Sequence, residues 1–253
     1  MGERRVEIQT EAGKMATFLV HPDHGGPYPI IIFFMDAAGI RDELRDMARR
    51  IASEGYYVML PNLYYRSGEE EFGVFRGEEG APVVARMLEL MDGLTIPMVK
   101  ADTDALLAYA RSDPRASRAA FGCVGYCMSG QYAINTAAHY SGRAAAAASI
   151  YGVRLVADAA SSPHLAGEAS PHITAGRAKG ELYLGWAEND AHAPQEWIQP
   201  IRESMVKGGV PGEIEIYPGA EHGFAFPDRP SYNHEASEHH WSRLFELFAR
   251  RLH

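Results

Sequence analysis

Apolar residues in this chain fall into short continuous runs alternating with stretches of helical spacing. Residues 28–35 are a continuous apolar run, the pattern of a strand covered on both faces. Residues 41–53 carry Leu44, Met47, Ala48 and Ile51 at helical spacing. Residues 56–60 read as a strand, stopped by Pro61 and Asn62. Residues 6–10 and 15–21 read as a hairpin turning at Ala12 and Gly13. The stretch 68–80 is acidic and glycine-rich and reads as an exposed loop or lid edge. Residues 82–91 and 97–111 look helical, the second ended by Asp113 and Pro114.

The rhythm then repeats. Residues 119–126 are strand-like, with a small-residue helical stretch through Tyr140, and 144–151 form another buried strand. An irregular stretch covers 158–179, a length often used for a lid or a site wall. Strand 181–186, helix 194–207, an alternating strand 213–217 and a closing helix 231–252 complete the chain. The closing helix puts Trp241, Leu244, Phe245 and Phe248 on one face. Alternating strands and helices imply an α/β fold with a mostly parallel sheet and helices on both faces. With no repeat, low-complexity segment or linker, residues 1–253 read as a single domain.

Composition narrows the function. The chain is 46% apolar and 23% charged, enough to bury a full core. A net charge of −9 disfavours a nucleic-acid partner. No run reaches 18 apolar residues, and the first ten residues lack the apolar core of a signal peptide. Met-Gly opens the chain, but Val6 does not fit a myristoylation signal. A cytoplasmic protein without a membrane partner is expected, as a monomer or homodimer. Cys123 and Cys127, along one strand, would stand about 13 Å apart, too far for a disulfide, which fits a reducing compartment.

The strongest chemical signal is Gly125-Tyr126-Cys127-Met128-Ser129-Gly130 between a strand and a helix. Gly-x-Ser-x-Gly in that context is a nucleophile elbow. Here Cys127 takes the nucleophile position and the second glycine comes one residue late. Such a turn strains Cys127 and sets its sulfur at a helix N-terminus, which favours a thiolate. The nucleophile needs a base, and the base an orienting carboxylate. Asp190 and His222 follow in chain order, each just past a predicted strand. Rival carboxylates are Glu188 and Asp158. Rival bases are His192, His234, His239 and His240, the last three reading as solvated at the start of the closing helix. The 11 histidines show no metal-ligand spacing, so no metal is expected. An oxyanion hole would use the N–H of Met128 and one from loop 36–39, with Ala37 the choice.

These pieces resemble the dienelactone hydrolase family of the α/β-hydrolase superfamily. The matching residues are 125–130, the run Pro61-Asn62-Leu63-Tyr64-Tyr65-Arg66, Glu188-Asn189-Asp190 with Pro194, and Glu221-His222-Gly223-Phe224. Nearly the whole chain is covered. The resemblance implies an α/β-hydrolase fold, a Cys127–Asp190–His222 triad and an acidic residue gating the resting thiol, which falls on Asp36. It also implies arginines holding a substrate carboxylate, one of them four residues after the catalytic histidine, where this chain has Phe226. Arg66 and Arg86 are the candidates for another cationic contact, and Tyr64, Trp186 and Phe226 for pocket walls. Losing one arginine points to a more apolar ester or lactone than dienelactone. The expected activity is hydrolysis of a small-molecule ester or lactone through a thioester, without a cofactor. Open alternatives are non-ester hydrolysis on the same fold, such as carbon–halogen cleavage, and a ligand-binding or sensing module on a degenerate hydrolase fold.

Overall fold

The computed structural model describes all residues except 73–76 and 159. Its sheet has eight strands in the order β1-β2-β4-β3-β5-β6-β7-β8. The hairpin β1 (Gly2–Thr10) and β2 (Gly13–His21) is antiparallel and joins the sheet antiparallel to β4 (Tyr57–Pro61). β3 (Tyr28–Phe34), β4, β5 (Ala116–Tyr126), β6 (Ala144–Ile150), β7 (Glu181–Asn189) and β8 (Gly212–Glu221) run parallel. All five residues of β4 and the last five of β3 are buried, as continuous apolar runs require.

Seven helices complete the described fold: α1 (Asp42–Ser53), α2 (Gly77–Gly93), α3 (Ile96–Ser112), α4 (Gly130–His139), α5 (Pro171–Thr174), α6 (Ile198–Gly208) and α7 (His234–Leu252). α1 buries Leu44, Met47, Ala48 and Ile51, the stripe its spacing predicts. Leu44 and Ile51 are fully buried, each contributing about 1.5–3 kcal/mol. α1 and α7 are joined by a two-pronged Arg50–Glu238 pair at 2.7 and 2.8 Å. α3 starts on Thr95, whose hydroxyl accepts the Met98 N–H, with Pro97 in its first turn. Among the described residues no helix is long and apolar enough to cross a membrane.

The fold departs from the sequence pattern where backbone or side-chain bonds decide. β1 begins at Gly2 rather than residue 6, because main-chain pairing with β2 continues to Gly2↔His21 without an apolar alternation. α7 starts at His234, later than residue 231, since Asn233 caps it by accepting the Ala236 N–H. The acidic stretch 68–80 is not a free loop over its described part. The Glu70 carbonyl accepts the Ile40 N–H at 2.7 Å, and Glu71 bridges Gly39. Gly39 sits at φ +81°, and a Cβ there would lie 2.2 Å from the Glu70 carbonyl oxygen. Residues 77–80 open α2, and 73–76 lie outside the described residues. The stretch 158–179, of which 159 is not described, contains α5 and two short turns, Pro163–Leu165 and Ala175–Arg177. Leu165, Pro171, Thr174 and Ala175 are buried there, so much of it is packed core.

Candidate active site

β5 ends at Tyr126, and the chain reverses at once into a single helical turn, Cys127–Ser129, and then α4. Cys127 has φ +53°, a left-handed conformation that costs a non-glycine residue on the order of 1–3 kcal/mol. The flanking glycines make the reversal possible. A Cβ on Gly125 would lie 2.1 Å from the Ser129 carbonyl oxygen, and one on Gly130 2.5 Å from the Gly152 Cα. Ser129 donates its hydroxyl to the Met35 carbonyl, tying the elbow to the end of β3. The Cys127 carbonyl accepts the Val153 N–H at 3.0 Å. Cys123 and Cys127 are both free thiols, and burial pushes the Cys123 thiol well up.

Asp190 lies just past β7, and His222 just past β8. Asp190 Oδ1 accepts the backbone N–H groups of His192 and Ala193 at 2.8 and 3.1 Å. Its Oδ2 accepts from His222 Nδ1 at 2.8 Å. The Asp190 side chain is 0% exposed. Burial works to raise its pKa, but the bonds from His222 and the two N–H groups prevail and lower it. With Nδ1 committed to Asp190, Nε2 is the nitrogen left to serve Cys127, which lines the same cleft. Burial pulls the imidazole pKa down, but bonds and charges from Asp190 and Cys127 outweigh it and raise it to about 10.

Cys127 and His222 open onto a cleft of about 350 Å³. Asp36, Ala37 and Ala38 line it on the β3 side. The Asp36 carbonyl accepts the Gly39 N–H at 3.2 Å, which fixes the peptide carrying the Ala37 N–H. An apolar wall comes from Met87, Leu88 and Met91 of α2, with Val153, Trp197 and Phe226. Arg154 and Arg229 supply positive charge.

Several expected residues sit elsewhere. Tyr64 is buried behind loop 36–39, its hydroxyl 3.2 Å from both the Ala37 carbonyl and the Met128 sulfur. It braces the loop and is not among the cleft's walls. Trp186 is likewise core, with its indole N–H donated to the Ala193 carbonyl at 2.8 Å. Arg66 forms a two-pronged pair with the buried Asp102 at 2.8 and 2.9 Å, in a separate groove by α3. Arg86 is held by Glu69 and Glu89 and also does not line the cleft. Asp36 is bonded to Arg41 and Arg229, at 2.7 Å through Oδ1 and 2.8 Å through Oδ2, rather than to the thiol. Phe226 does line the cleft, its ring under the guanidinium groups of Arg41 and Arg229 at 5.0 and 5.7 Å. No described residue of 158–179 is among the cleft's lining.

The rival residues also separate. Glu188 accepts the Gly219 N–H and Asp158 the Ala160 N–H, leaving Asp190 as the carboxylate on His222. His192 lines the cleft edge-on to His222, with ring centroids 5.0 Å apart. His239 pairs with Glu215 at 2.7 Å. His240 is not solvated but fully buried: its Nδ1 donates to the Ser237 carbonyl, and its Nε2 lies 3.0 Å from the Tyr126 hydroxyl. Burial depresses its pKa to about 3, so it stays neutral. An outward helix position and a buried one look alike when a single histidine interrupts an apolar stripe.

Sequence reasoning missed Tyr151, Arg154, Arg229 and the α2 wall. Tyr151 and Arg154 have φ of +38° and +59° just past β6, and the positive values fall on these two residues rather than on Gly152 between them, where sequence would place one. Met87, Leu88 and Met91 look like any apolar helix face. The one available signal was Arg229, seven residues past His222 and beyond the position where an arginine was sought.

Comparison with known proteins fits this geometry. A Synechocystis protein named "Putative carboxymethylenebutenolidase" is 31% identical over 251 residues, covering 98% of this chain and 96% of its own. The carboxymethylenebutenolidase of Rhodococcus opacus is 27% identical over 225 residues, covering 88% of this chain and 81% of its own. A crystal structure from Klebsiella pneumoniae, named "Putative Dienelactone Hydrolase", superposes with a TM-score of 0.85 at 26% identity and 98% coverage of each chain. The dienelactone hydrolase family model matches residues 15–252. With an α/β-hydrolase sheet, a cysteine elbow and a match across nearly its full length, this chain belongs to the dienelactone hydrolase family.

Proposed function

We propose that this enzyme hydrolyses small carboxylic esters or lactones with Cys127 as nucleophile, His222 as proton carrier and Asp190 as the group that orients it. The observation that carries the reading is the 2.8 Å bond that ties His222 to the buried Asp190, with His222 and Cys127 lining one cleft. A histidine with a pKa of about 10 holds its proton at neutral pH. In the attacking form of the pair the thiol proton lies on His222. The sulfur attacks the carbonyl carbon, and the carbonyl oxygen takes the negative charge, held by the N–H groups of Met128 and Ala37. Collapse expels the alkoxide, which takes the His222 proton and leaves a thioester. The neutral imidazole then draws a proton from water as that water attacks the thioester, releasing the acid and restoring the ion pair.

The cleft also bears on substrate class. Phe226 removes one expected arginine, but Arg154 and Arg229 put positive charge back at other positions. Arg154 pairs with Asp92, and Arg229 with Asp36, so neither is a bare cation. An ester or lactone with an apolar part against Met87 and Met91 and an acidic group near the arginines fits this lining. No cofactor is required by these steps. The decisive test is Cys127→Ala, assayed on nitrophenyl esters and small lactones. Turnover should fall by at least about 10³-fold. Mass spectrometry of the parent enzyme mixed with substrate should find an acyl group on the Cys127 peptide. Parent-like activity in the variant would overturn the reading.

A further inference from the structure

Tyr151 is an anomaly that the triad does not use. It is fully buried, yet it lines the cleft that holds Cys127 and His222. Its backbone stands at φ +38°, a conformation an aromatic residue rarely adopts. The strain is held in place on two sides. Its N–H donates to the Gly185 carbonyl at 2.7 Å. Its ring packs edge-on against His222, Phe224 and Phe226, with centroids 5.0, 5.1 and 6.0 Å away. The hydroxyl at the end of this ring has no hydrogen-bond partner among the described residues, although it is buried. Buried tyrosine hydroxyls normally find a partner, since an unpaired one forfeits its hydration for nothing. The other unpartnered buried side-chain atoms among the described residues belong to Glu69, Gln131, Ser149 and His164, none of which lines the cleft.

We propose that the Tyr151 hydroxyl is a substrate-contacting residue: it donates a hydrogen bond to an oxygen of the bound ester or lactone next to the carbon that Cys127 attacks. The missing partner is then the substrate. Backbone strain is often retained where a functional group must be aimed at a reacting centre. The chemical character fits a donor and not a base. Burial, with the charges of Asp36 and Cys127 nearby, pushes the phenol pKa well above its usual 10, so the group keeps its proton. An ester offers two acceptors at this point, the carbonyl oxygen and the alkoxy or ring oxygen. Either would satisfy a neutral donor. The ring contacts with His222 leave the imidazole's own bond to Asp190 intact, so the hydroxyl acts beside the triad rather than through it.

This inference rests on the triad reading, and the experiment separates the two. Tyr151→Phe keeps the ring and its packing and removes only the hydroxyl. It should lower kcat/KM for a nitrophenyl ester and a small lactone about tenfold. Its melting temperature should equal or exceed the parent's, because an unsatisfied buried group has been removed. Its pH–rate profile should keep the parent's shape. A kcat/KM within twofold of the parent overturns the proposal. So does a lost activity that comes with a lower melting temperature, which marks a structural role, or with a shifted pH limb, which marks an action through His222. Cys127→Ala is run alongside. If it is inactive while Tyr151→Phe is fully active, only the Tyr151 proposal fails. If Cys127→Ala stays active, the triad reading itself fails.

Discussion

Cys127 and His222 reach the cleft from the carboxyl ends of β5 and β8, with Asp190 behind His222 at the end of β7, whereas Met87, Leu88 and Met91 reach it from α2 and Arg154 and Arg229 from connecting segments. The first group is positioned by the sheet. Parallel register fixes where each strand ends, and glycines or backbone N–H donors fix the turn that follows. The second group depends on where helices and loops come to rest against that sheet. The reacting side of the cleft is thus set by local rules and the recognition side by tertiary packing. Substitutions on the reacting side should cost orders of magnitude in rate. Those on the recognition side should change which substrate is preferred.

The largest contrast after loss of the nucleophile is expected at Asp190. Asp190→Asn keeps an oxygen for the His192 and Ala193 N–H groups but replaces the carboxylate that orients His222. kcat/KM should fall about 10³–10⁴-fold, the range for losing the orienting acid of a triad. A loss under tenfold in steady-state assays would mean that the sheet alone orients His222.

Titration should expose the same pair. The His222 pKa is raised from 6.5 to about 10, so the folded state holds this proton more tightly than the unfolded chain does. The stabilisation is complete below about pH 6.5, declines as pH rises and is gone above about 10. If the imidazolium is the active form, kcat/KM should hold through neutral pH and fall tenfold per unit above about 10. Cys127→Ala removes one of the partners that raise this pKa, so NMR titration of the His222 ring should find a lower midpoint in the variant.

The contrast also accounts for what could be read from the chain. The apolar runs 28–35 and 144–151 mark central strands because a parallel sheet buries both faces. The elbow glycines betray the sharp turn at Cys127. Asp190 and His222 are found because they follow strands in the expected order. Nothing comparable marks the pocket. Arg66 and Arg86 are as cationic as Arg154 and Arg229, and only packing shows that the first two are occupied elsewhere by Asp102 and by Glu69 and Glu89. Tyr64 and Trp186 look like pocket aromatics, yet each turns its polar atom toward a backbone carbonyl in the core. Asp36 sits where a thiol gate was expected, and the guanidinium groups that take its oxygens come from residues 5 and 193 positions away.

A smaller effect, on selectivity, is expected from Arg229→Gln. Asp36 would keep its bond to Arg41, so loop 36–39 should hold. The cleft would lose a positive charge. The ratio of kcat/KM for a carboxylate-bearing lactone to that for a neutral ester of similar size should drop about tenfold, the scale of one charge-assisted contact. An unchanged ratio across a panel of charged and neutral substrates would remove Arg229 from recognition.

The smallest effect on catalysis is expected at Arg66, and it tests the division from the opposite side. Arg66 covers Asp102, whose side chain is 0% exposed, and the Tyr65 hydroxyl donates to the same carboxylate at 2.8 Å while meeting the Thr10 hydroxyl of β1 at 2.8 Å. This network docks the amino-terminal hairpin onto α3, away from the cleft. Arg66→Ala leaves a buried carboxylate with Tyr65 alone, which should cost about 2–4 kcal/mol of stability. Urea unfolding should report that loss, while kcat/KM measured well below the new midpoint should stay within twofold of the parent. Arg66→Ala combined with Asp102→Asn removes both charges and should recover part of the stability. A strong loss of turnover in a folded Arg66→Ala enzyme would instead connect this groove to the active site and erase the distinction between the two regions.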